Sequence, residues 1–393
     1  MREIRKIYFM YFLAGLSNAA AVTFTLYFLS HGLNQAQIGQ LFGFFMICLA
    51  IFDIPTGGIA DMFGHKASVA VGLLFQGLSF LLFFLYPTYF GFLLGMFAAA
   101  LGLAFQSGAT SSLIYELLHK EGLHDDFQKV IGRASGYFLV ASIIASPIGS
   151  FIYKFYPKIP YLLALLVFIP AAFMIYSIKW EFVKKPPRFS TYLKTIIDGT
   201  RLTVRNRILM ATVIIGIALT INRLVFNQNI SQPYQVSVGI DVAYIGLVAA
   251  IVAAVQAFIS LNAYKISKKI GKLPSLILIV GVPSFAVIAL SFINTLLAIP
   301  IILILYMGHA FRDPVTAHIA QDELDPDKRS TMVSTTSFLV SVSAGVLMPY
   351  WGRGIDMFGL NNTLLLLGIF SLFVGTVGLL LYQFKKRPVP VKN

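Results

Sequence analysis

Cysteine and charge are what this sequence has least of. Of 393 residues one is cysteine and 16 are acidic, and charged residues make up only 12% of the chain. The single Cys48 excludes an intramolecular disulfide and any cysteine-rich metal site. Soluble domains carry about one charged residue in four, so a water-soluble enzyme of this length is excluded. Also missing are a phosphate-cradling G-x-x-x-x-G-K-[ST] loop, which argues against direct drive by ATP, and the H-E-x-x-H and G-x-S-x-G hydrolase motifs. The expectation is a chain that is not an enzyme and needs no cofactor and no metal.

What is present is apolar bulk. Hydrophobic residues make up 58% of the chain, Phe alone contributes 35 residues, and mean hydropathy is +0.80, which excludes intrinsic disorder. The apolar residues fall into twelve blocks, at 7–30, 37–59, 68–87, 90–117, 130–153, 159–179, 208–231, 241–264, 275–293, 296–321, 330–351 and 362–383. A hydrocarbon layer of about 30 Å needs roughly 20 helical residues to cross, so each block is long enough. The pattern predicts an all-α integral membrane protein of twelve transmembrane helices.

The net charge of +14 would suggest nucleic acid in a soluble protein, but here its placement carries the meaning. With the amino terminus inside, 25 of the 30 Lys and Arg lie on inner segments. The outer loops hold only Lys154, Lys158 and Arg353, and Arg223 and Arg312 lie within spans. Both termini are therefore expected in the cytoplasm, with the basic segments facing lipid headgroups and no nucleic-acid partner. The start, Met1 to Lys6 followed by an apolar run through Ala19, Ala20 and Ala21, imitates a signal peptide. Because the apolar stretch continues to Leu29, it is expected to stay as the first span.

Self-similarity divides the chain in two. Residues 32–39 read GLNQAQIG and residues 239–246 read GIDVAYIG, and the same offset of 207 carries Gly64 onto Gly271. A second echo pairs Gly132-Arg133-Ala134-Ser135 with Lys328-Arg329-Ser330-Thr331. The expected organisation is two six-helix pseudo-repeats, 1–180 and 208–393, joined by a cytoplasmic linker at 181–207. Within that linker, 191–205 has the pattern of an amphipathic helix lying along the headgroups. Asn34 and Asp241 suit helix caps, since their side-chain oxygens can accept from the orphan amides of the spans that follow.

Between the second and third spans stands Gly57-Gly58-Ile59-Ala60-Asp61-Met62-Phe63-Gly64-His65-Lys66. It resembles the G-x-x-x-D-x-x-G-[RK]-[RK] signature of the major facilitator superfamily (MFS). With Asp53-Ile54-Pro55-Thr56 before it, it is most similar to the drug:proton antiporter branch. His65 replaces the usual Arg, and the second copy keeps only Gly271 with Lys268, Lys269 and Lys272 around it. The resemblance implies the MFS fold and a latch that holds the cytoplasmic side closed. In that latch Asp61 faces the start of span 11, and His65 or Lys66 meets Glu116. Gly57 and Gly64 are expected to allow close helix approach and a tight turn. A weaker resemblance lies in span 5, where Ala141, Ala145, Ser146, Pro147, Gly149 and Ser150 look like a degenerate antiporter pattern. Small residues at this spacing also serve plain helix packing.

Polar groups at bilayer depth are functional candidates because they are costly there. Spans 3, 6, 9 and 12 carry no charge in their interiors, while spans 1, 4, 7 and 10 hold Asn18, Gln106, Asn222 with Arg223, and His309 with Arg312 and Asp313. This spacing resembles the superfamily, whose helices 1, 4, 7 and 10 line the central cavity. His309, Arg312 and Asp313 can share one helical face, and Pro314 predicts a kink or break at which Asp313 caps a new half-helix. An imidazole or a desolvated carboxylate can carry a coupling proton, which makes His309 and Asp313 the first candidates and Glu116 and Asp53 the next. Asn227, Gln228 and Asn229 offer neutral hydrogen bonds.

The reading that unites these features is a monomeric secondary transporter in the plasma membrane of a prokaryote, working by alternating access. Its expected activity is proton-driven export of a small amphipathic molecule, anionic or neutral because two arginines are embedded in spans. The alternatives are a proton-coupled carrier of an organic anion in either direction, and a transporter-like receptor or partner subunit without turnover.

Overall fold

The structure is a computed structural model that describes residues 2–179, 199–201, 203, 207–323 and 326–383. Among these, helix is the only regular backbone. That is what a lipid environment demands of a chain not closed into a barrel, since every amide and carbonyl must then bond within its own segment. In chain order, α1 comprises Arg2–Leu16, Asn18–Ala21 and Phe24–Ser30, α2 is Gln35–Phe63, and α3 is His65–Leu85. Two pieces, Tyr89–Gln106 and Ala109–Lys120, form α4, followed by α5 (Phe127–Phe155) and α6 (Ile159–Tyr176). Arg207–Val225, Phe226–Ile230 and Ser231–Ser237 make α7, and α8, α9 and α10 are Val242–Ile270, Lys272–Leu290 and Ala298–Glu323. The last run, Pro326–Gln383, breaks at Gly359 (φ 79°, ψ 170°) into α11 (326–358) and α12 (360–383).

Nine helices among the described residues are long and apolar enough to cross a membrane, and ten if the two bent parts of α1 form one span. Separating the two sides of Gly359 and adding the shorter apolar Ala298–Arg312 is consistent with twelve crossings. Leu261, Phe173, Phe285 and Phe373 lie exposed on the helix surfaces, as lipid-facing side chains do. The chain is a multi-pass integral membrane protein.

Local chemistry sets the helix boundaries. Asn34 accepts from the Gln37 amide at 2.8 Å while Gln37 Oε1 accepts from the Asn34 amide at 3.0 Å, a reciprocal cap that starts α2. Asp241 Oδ1 accepts from Ala243 N at 2.9 Å at the start of α8. Gly64 (φ 97°) separates α2 from α3, and Gly271 (φ 89°) separates α8 from α9, both in backbone that other residues rarely adopt.

The helices gather into two compact units. The first holds α1–α6 with 225–254 and 345–357; the second holds the described parts of 193–224, 255–344 and 358–393. In the first unit, α3 and α4 touch at glycines: a Cβ on Gly72 would lie 2.6 Å from the Gly102 carbonyl oxygen, and one on Gly102 2.7 Å from that of Gly72. An aromatic cluster fills the space beside the short end of α1, with Tyr27 stacked on Tyr161 at 4.0 Å and Phe28 tilted against Phe92 at 4.5 Å between ring centroids. The second unit is packed around Ile215, Leu219, Leu276, Ile279, Phe311 and Val315.

Two spans are interrupted and one expectation is corrected. α1 bends by 41° between Ala21 and Phe24. α4 is interrupted at Ser107 and Gly108 (φ 67°), since a glycine at positive φ ends a helix where it stands. α10, by contrast, runs as one helix from Ala298 to Glu323 through Pro314, so Asp313 caps no new half-helix. A proline removes one backbone bond, and a helix held by neighbours tolerates that loss. The amphipathic helix expected at 191–205 falls almost entirely outside the described residues.

Candidate functional site

Three groups of polar side chains stand out, and the first is at the Gly64 turn. His65 follows the turn directly, buried, with Nδ1 2.9 Å from Glu116 Oε1 and Nε2 3.7 Å from Asp61 Oδ1. One imidazole thus bridges two carboxylates from α2 and α4. Of His65 and Lys66 it is His65 that meets Glu116; the Lys66 ammonium donates to the Ile178 carbonyl at 3.0 Å and lies over the Tyr176 ring. With Lys6, which donates to the Ser177 carbonyl at 2.7 Å, it neutralises the negative end of α6. A Cβ at Gly57 would meet nothing within 4 Å, so no close helix approach exists there among the described residues. Asp53 is half-buried about two turns before Asp61 on α2.

The second group lies in the second unit. Asn222 of α7 is fully buried; its Nδ2 donates to Ser371 Oγ of α12 at 3.0 Å, and its Oδ1 lies 3.1 Å from His309 Nε2 of α10. His309 is buried as well, and its Nδ1 has no hydrogen-bond partner among the described residues. One turn along α10, Arg312 Nη1 donates to Thr220 Oγ1 at 3.0 Å. Arg223 follows Asn222, half-buried and engaged with its surroundings. Ser371, Asn222 and His309 form a chain of hydrogen bonds on three helices, with the Arg312–Thr220 contact one turn away. Burial makes an unsatisfied atom in such a chain costly, and His309 Nδ1 is one among the described residues. The side chain of Asp313 lies outside the described residues.

Other candidates are helix contacts. Asn18 donates to Ser142 Oγ at 2.9 Å and to the Gly15 carbonyl at 3.2 Å, which ties α1 to α5. Gln106 donates to Gly102 O within its own helix at 2.9 Å. Ala141, Ala145 and Gly149 are buried in α5. A Cβ on Gly149 would overlap the backbone of Ala19 in α1, and one on Gly246 of α8 would overlap the Ser146 carbonyl. Ser150 Oγ donates to Ala243 O at 2.8 Å and accepts from Gly246 N at 3.0 Å. The small residues of this α5 segment therefore pack α5 closely against α1 and α8, and Pro147 sits half-buried among them.

The third group was not singled out from the sequence. It lies in the first unit, at the ends of α1, α7 and α11 near Asn34. Asp356 of α11 receives the Gln35 and Ala36 amides at 3.0 and 2.8 Å, placing an anion on the start of α2. Asn229 Nδ2 donates to Gln35 Oε1 at 3.2 Å, and Gln232 Oε1 accepts from the amides of Thr25 and Leu26 at 2.9 and 3.2 Å. Lys154 Nζ lies 2.7 Å from Asp241 Oδ2, and this bond with the Ala243 amide holds the exposed Asp241 carboxyl below its ordinary pKa. Asn229 belongs to a π-helical turn, Phe226–Ile230, a geometry rare in proteins and frequent at functional sites. In the sequence the triplet Asn227-Gln228-Asn229 and the caps Asn34 and Asp241 were the signals that fall here, without anything that joined them.

Comparison with known proteins gives a consistent picture. The family model described as Major Facilitator Superfamily matches residues 7–349. An uncharacterised MFS-type transporter of Methanocaldococcus jannaschii is 24% identical over 361 residues, 89% of this chain and 90% of that protein. Among solved structures, the nucleoside transporter NupG superposes with a TM-score of 0.82 at 13% identity, covering 97% of this chain and 100% of that one. A bacterial homologue of the human lysosomal transporter Spinster, inward-facing and occupied, gives 0.77 at 14% identity over 98% of each chain. At such identities the structural likeness establishes the fold and nothing about the substrate.

Proposed function

The chain belongs to the major facilitator superfamily and is a membrane transporter of that type, and from this premise we propose that it exports a small amphipathic molecule in exchange for protons. The cycle is alternating access between two six-helix repeats, 1–180 and 208–393, with both termini in the cytoplasm of a prokaryotic cell. The observation that carries the substrate reading is the buried chain Ser371–Asn222–His309 with Arg312 one turn away. Those groups present amide, hydroxyl, imidazole and guanidinium, a set that suits a neutral or anionic polar group joined to an apolar body. For the proton, His309 and Asp313 are the first carriers and Glu116 and Asp53 the next. The cluster of Asp61, His65 and Glu116 fits a cytoplasmic latch, since one imidazole between two carboxylates is a compact, breakable contact.

A second reading, a proton-coupled carrier of an organic anion in either direction, draws on Arg223 and Arg312, whose charges favour a carboxylate or phosphate. Purified protein in proteoliposomes, offered matched anionic, neutral and cationic compounds with and without a proton gradient, tests both. Gradient-dependent accumulation of neutral or anionic compounds, lost in Asp313→Asn while downhill exchange survives, supports the proposal. Saturable binding without accumulation would mean a receptor, and preference for cations would overturn the substrate class. Arg223→Ala should weaken anionic ligands most, with Arg223→Lys restoring part of the loss.

A further inference from the structure

The bend in α1 and the wide turn in α7 are two sides of one device. α1 ends in a seven-residue tip, Phe24–Ser30, and α7 ends in a seven-residue tip, Ser231–Ser237. The repeat offset of 207 carries the first tip onto the second residue for residue, and Gly32 (φ 83°) onto Gly239 (φ 94°) after them. Each tip is set off from its span by an irregular turn: non-helical Thr23 (φ −124°, ψ 11°) in α1, and the π-turn Phe226–Ile230 in α7. Thr25 and Gln232 are mates under that offset, and they touch.

The contact has an unusual form. In an unbroken helix the Thr25 amide would donate to the Ala21 carbonyl four residues back. Here the Gln232 carboxamide lies between them, its Oε1 accepting from Thr25 N at 2.9 Å and from Leu26 N at 3.2 Å, its Nε2 3.4 Å from Ala21 O. The two backbone donors fix which end of the carboxamide is oxygen. Gln232 is buried, and Thr25 Oγ1 adds a bond to the Gln228 carbonyl at 2.7 Å, on the widened turn itself. A side-chain amide thus takes the place of a missing rung in the ladder of α1.

We propose that Gln232 is a positioning residue for transport: inserted, it holds α1 bent and the two tips together; withdrawn, it lets Thr25 N return to Ala21 O, so that α1 straightens as the tips part. The two amides that Gln232 vacates, those of Thr25 and Leu26, have backbone acceptors four residues back at Ala21 and Val22, so straightening leaves neither donor without a partner. Buried donors would otherwise make parting of the tips costly, and a conformational cycle needs both states within reach. Gln232 carries no charge and this role needs no contact with the transported molecule, which sets it apart from the polar chain around Asn222. The inference rests on the alternating-access reading. Its test reads a distance in the absence of substrate, so its failure is distinct from a failure of transport in proteoliposomes.

Spin labels placed by Ser30→Cys and Ser237→Cys, both exposed mates at the ends of the tips, report the tip separation in lipid nanodiscs once Cys48 is replaced by Ser. Gln232→Leu fills the same space without bonding, and is expected to raise the parted population by about an order of magnitude. Gln232→Met, close to glutamine in length but unable to bond both amides and the Ala21 carbonyl, should do the same. Thr25→Val keeps the amide and loses only the Oγ1 bond to the Gln228 carbonyl, so its shift should go the same way and be smaller. A distance distribution like that of the wild type in Gln232→Leu or Gln232→Met overturns the proposal. Should Gln232→Leu fail to reach the membrane, Gln232→Met decides alone by the same measurement.

Discussion

The turn between α2 and α3 and its repeat mate between α8 and α9 share a backbone but not a chemistry. Gly64 (φ 97°) and Gly271 (φ 89°) occupy the same left-handed region, each between two long helices. Around Gly64 stand Asp61, His65 and Glu116, joined through one buried imidazole. At the equivalent places around Gly271 stand Lys268 and Lys272, and the buried contact there is between the hydroxyls of Ser267 and Ser275 at 3.1 Å. Duplication kept what the chain geometry requires, a residue that tolerates positive φ. Among the described residues an imidazole between two carboxylates stands at the Gly64 turn alone, and the proposed latch draws on that asymmetry.

That comparison can be tested from both sides. The largest effect is expected from the shared feature. Gly64→Val and Gly271→Val should each destabilise the protein by about 1–2 kcal/mol, because a side chain in left-handed backbone costs about that much. Thermal unfolding in detergent should show similar losses for the two; a loss in one copy alone would mean that the turns are not equivalent. Next in size is Asp61→Asn, which should lower the transport rate about tenfold, equivalent to about 1.4 kcal/mol, with little change in the melting temperature. Lys268→Gln, at the mate position, should transport like the wild type, and equal effects would remove the asymmetry.

A smaller change is expected from Glu116→Gln. It keeps a hydrogen bond to His65 but loses the charge that strengthens it, so transport should fall roughly two- to fivefold at matched protein levels. Smallest is the Lys154–Asp241 pair, exposed at the other end of the same unit. Its pKa is depressed in the folded protein, so the stabilisation is present above the ordinary carboxylate value and is lost as pH falls through the depressed one. Lys154→Ala should leave the melting temperature at pH 7 unchanged within error, since exposed pairs contribute little. A clear loss at neutral pH would show that the pair contributes to stability despite its exposure.

Much of this architecture was legible in the amino-acid order, for a reason that recurs. Asn34 and Asp241 cap the helices they precede, and Gly64 and Gly271 turn where a helix must reverse, because each depends on a few adjacent residues. The expectation of many helical spans followed from apolar length, and that of the MFS fold from the resemblance of residues 57–66 to the family signature. Residues in the polar chain, Asn222, His309 and Arg312, were visible as polar groups where lipid penalises them, though not that Ser371 and Thr220 would complete it. Serine and threonine are common in helices and bond their own backbone, so they leave no distinct signal.

What the sequence alone determined, then, is everything set by short range and by the solvent: twelve apolar blocks, a motif repeated at an offset of 207, capped and glycine-turned helix ends, and a scarcity of charge that leaves each buried polar group conspicuous. Only the tertiary structure decided where the helices break. Pro314, the strongest local breaker, sits in a continuous α10, while α1 bends at Val22 and Thr23, which are no breakers at all. The bend is supported by Gln232, 207 positions away, and the start of α2 by Asp356, more than 300 positions away. Backbone amides freed from a helix are costly in an apolar interior unless a partner arrives from elsewhere. Whether such a partner arrives is a property of the packed bundle, not of the residues on either side of the break.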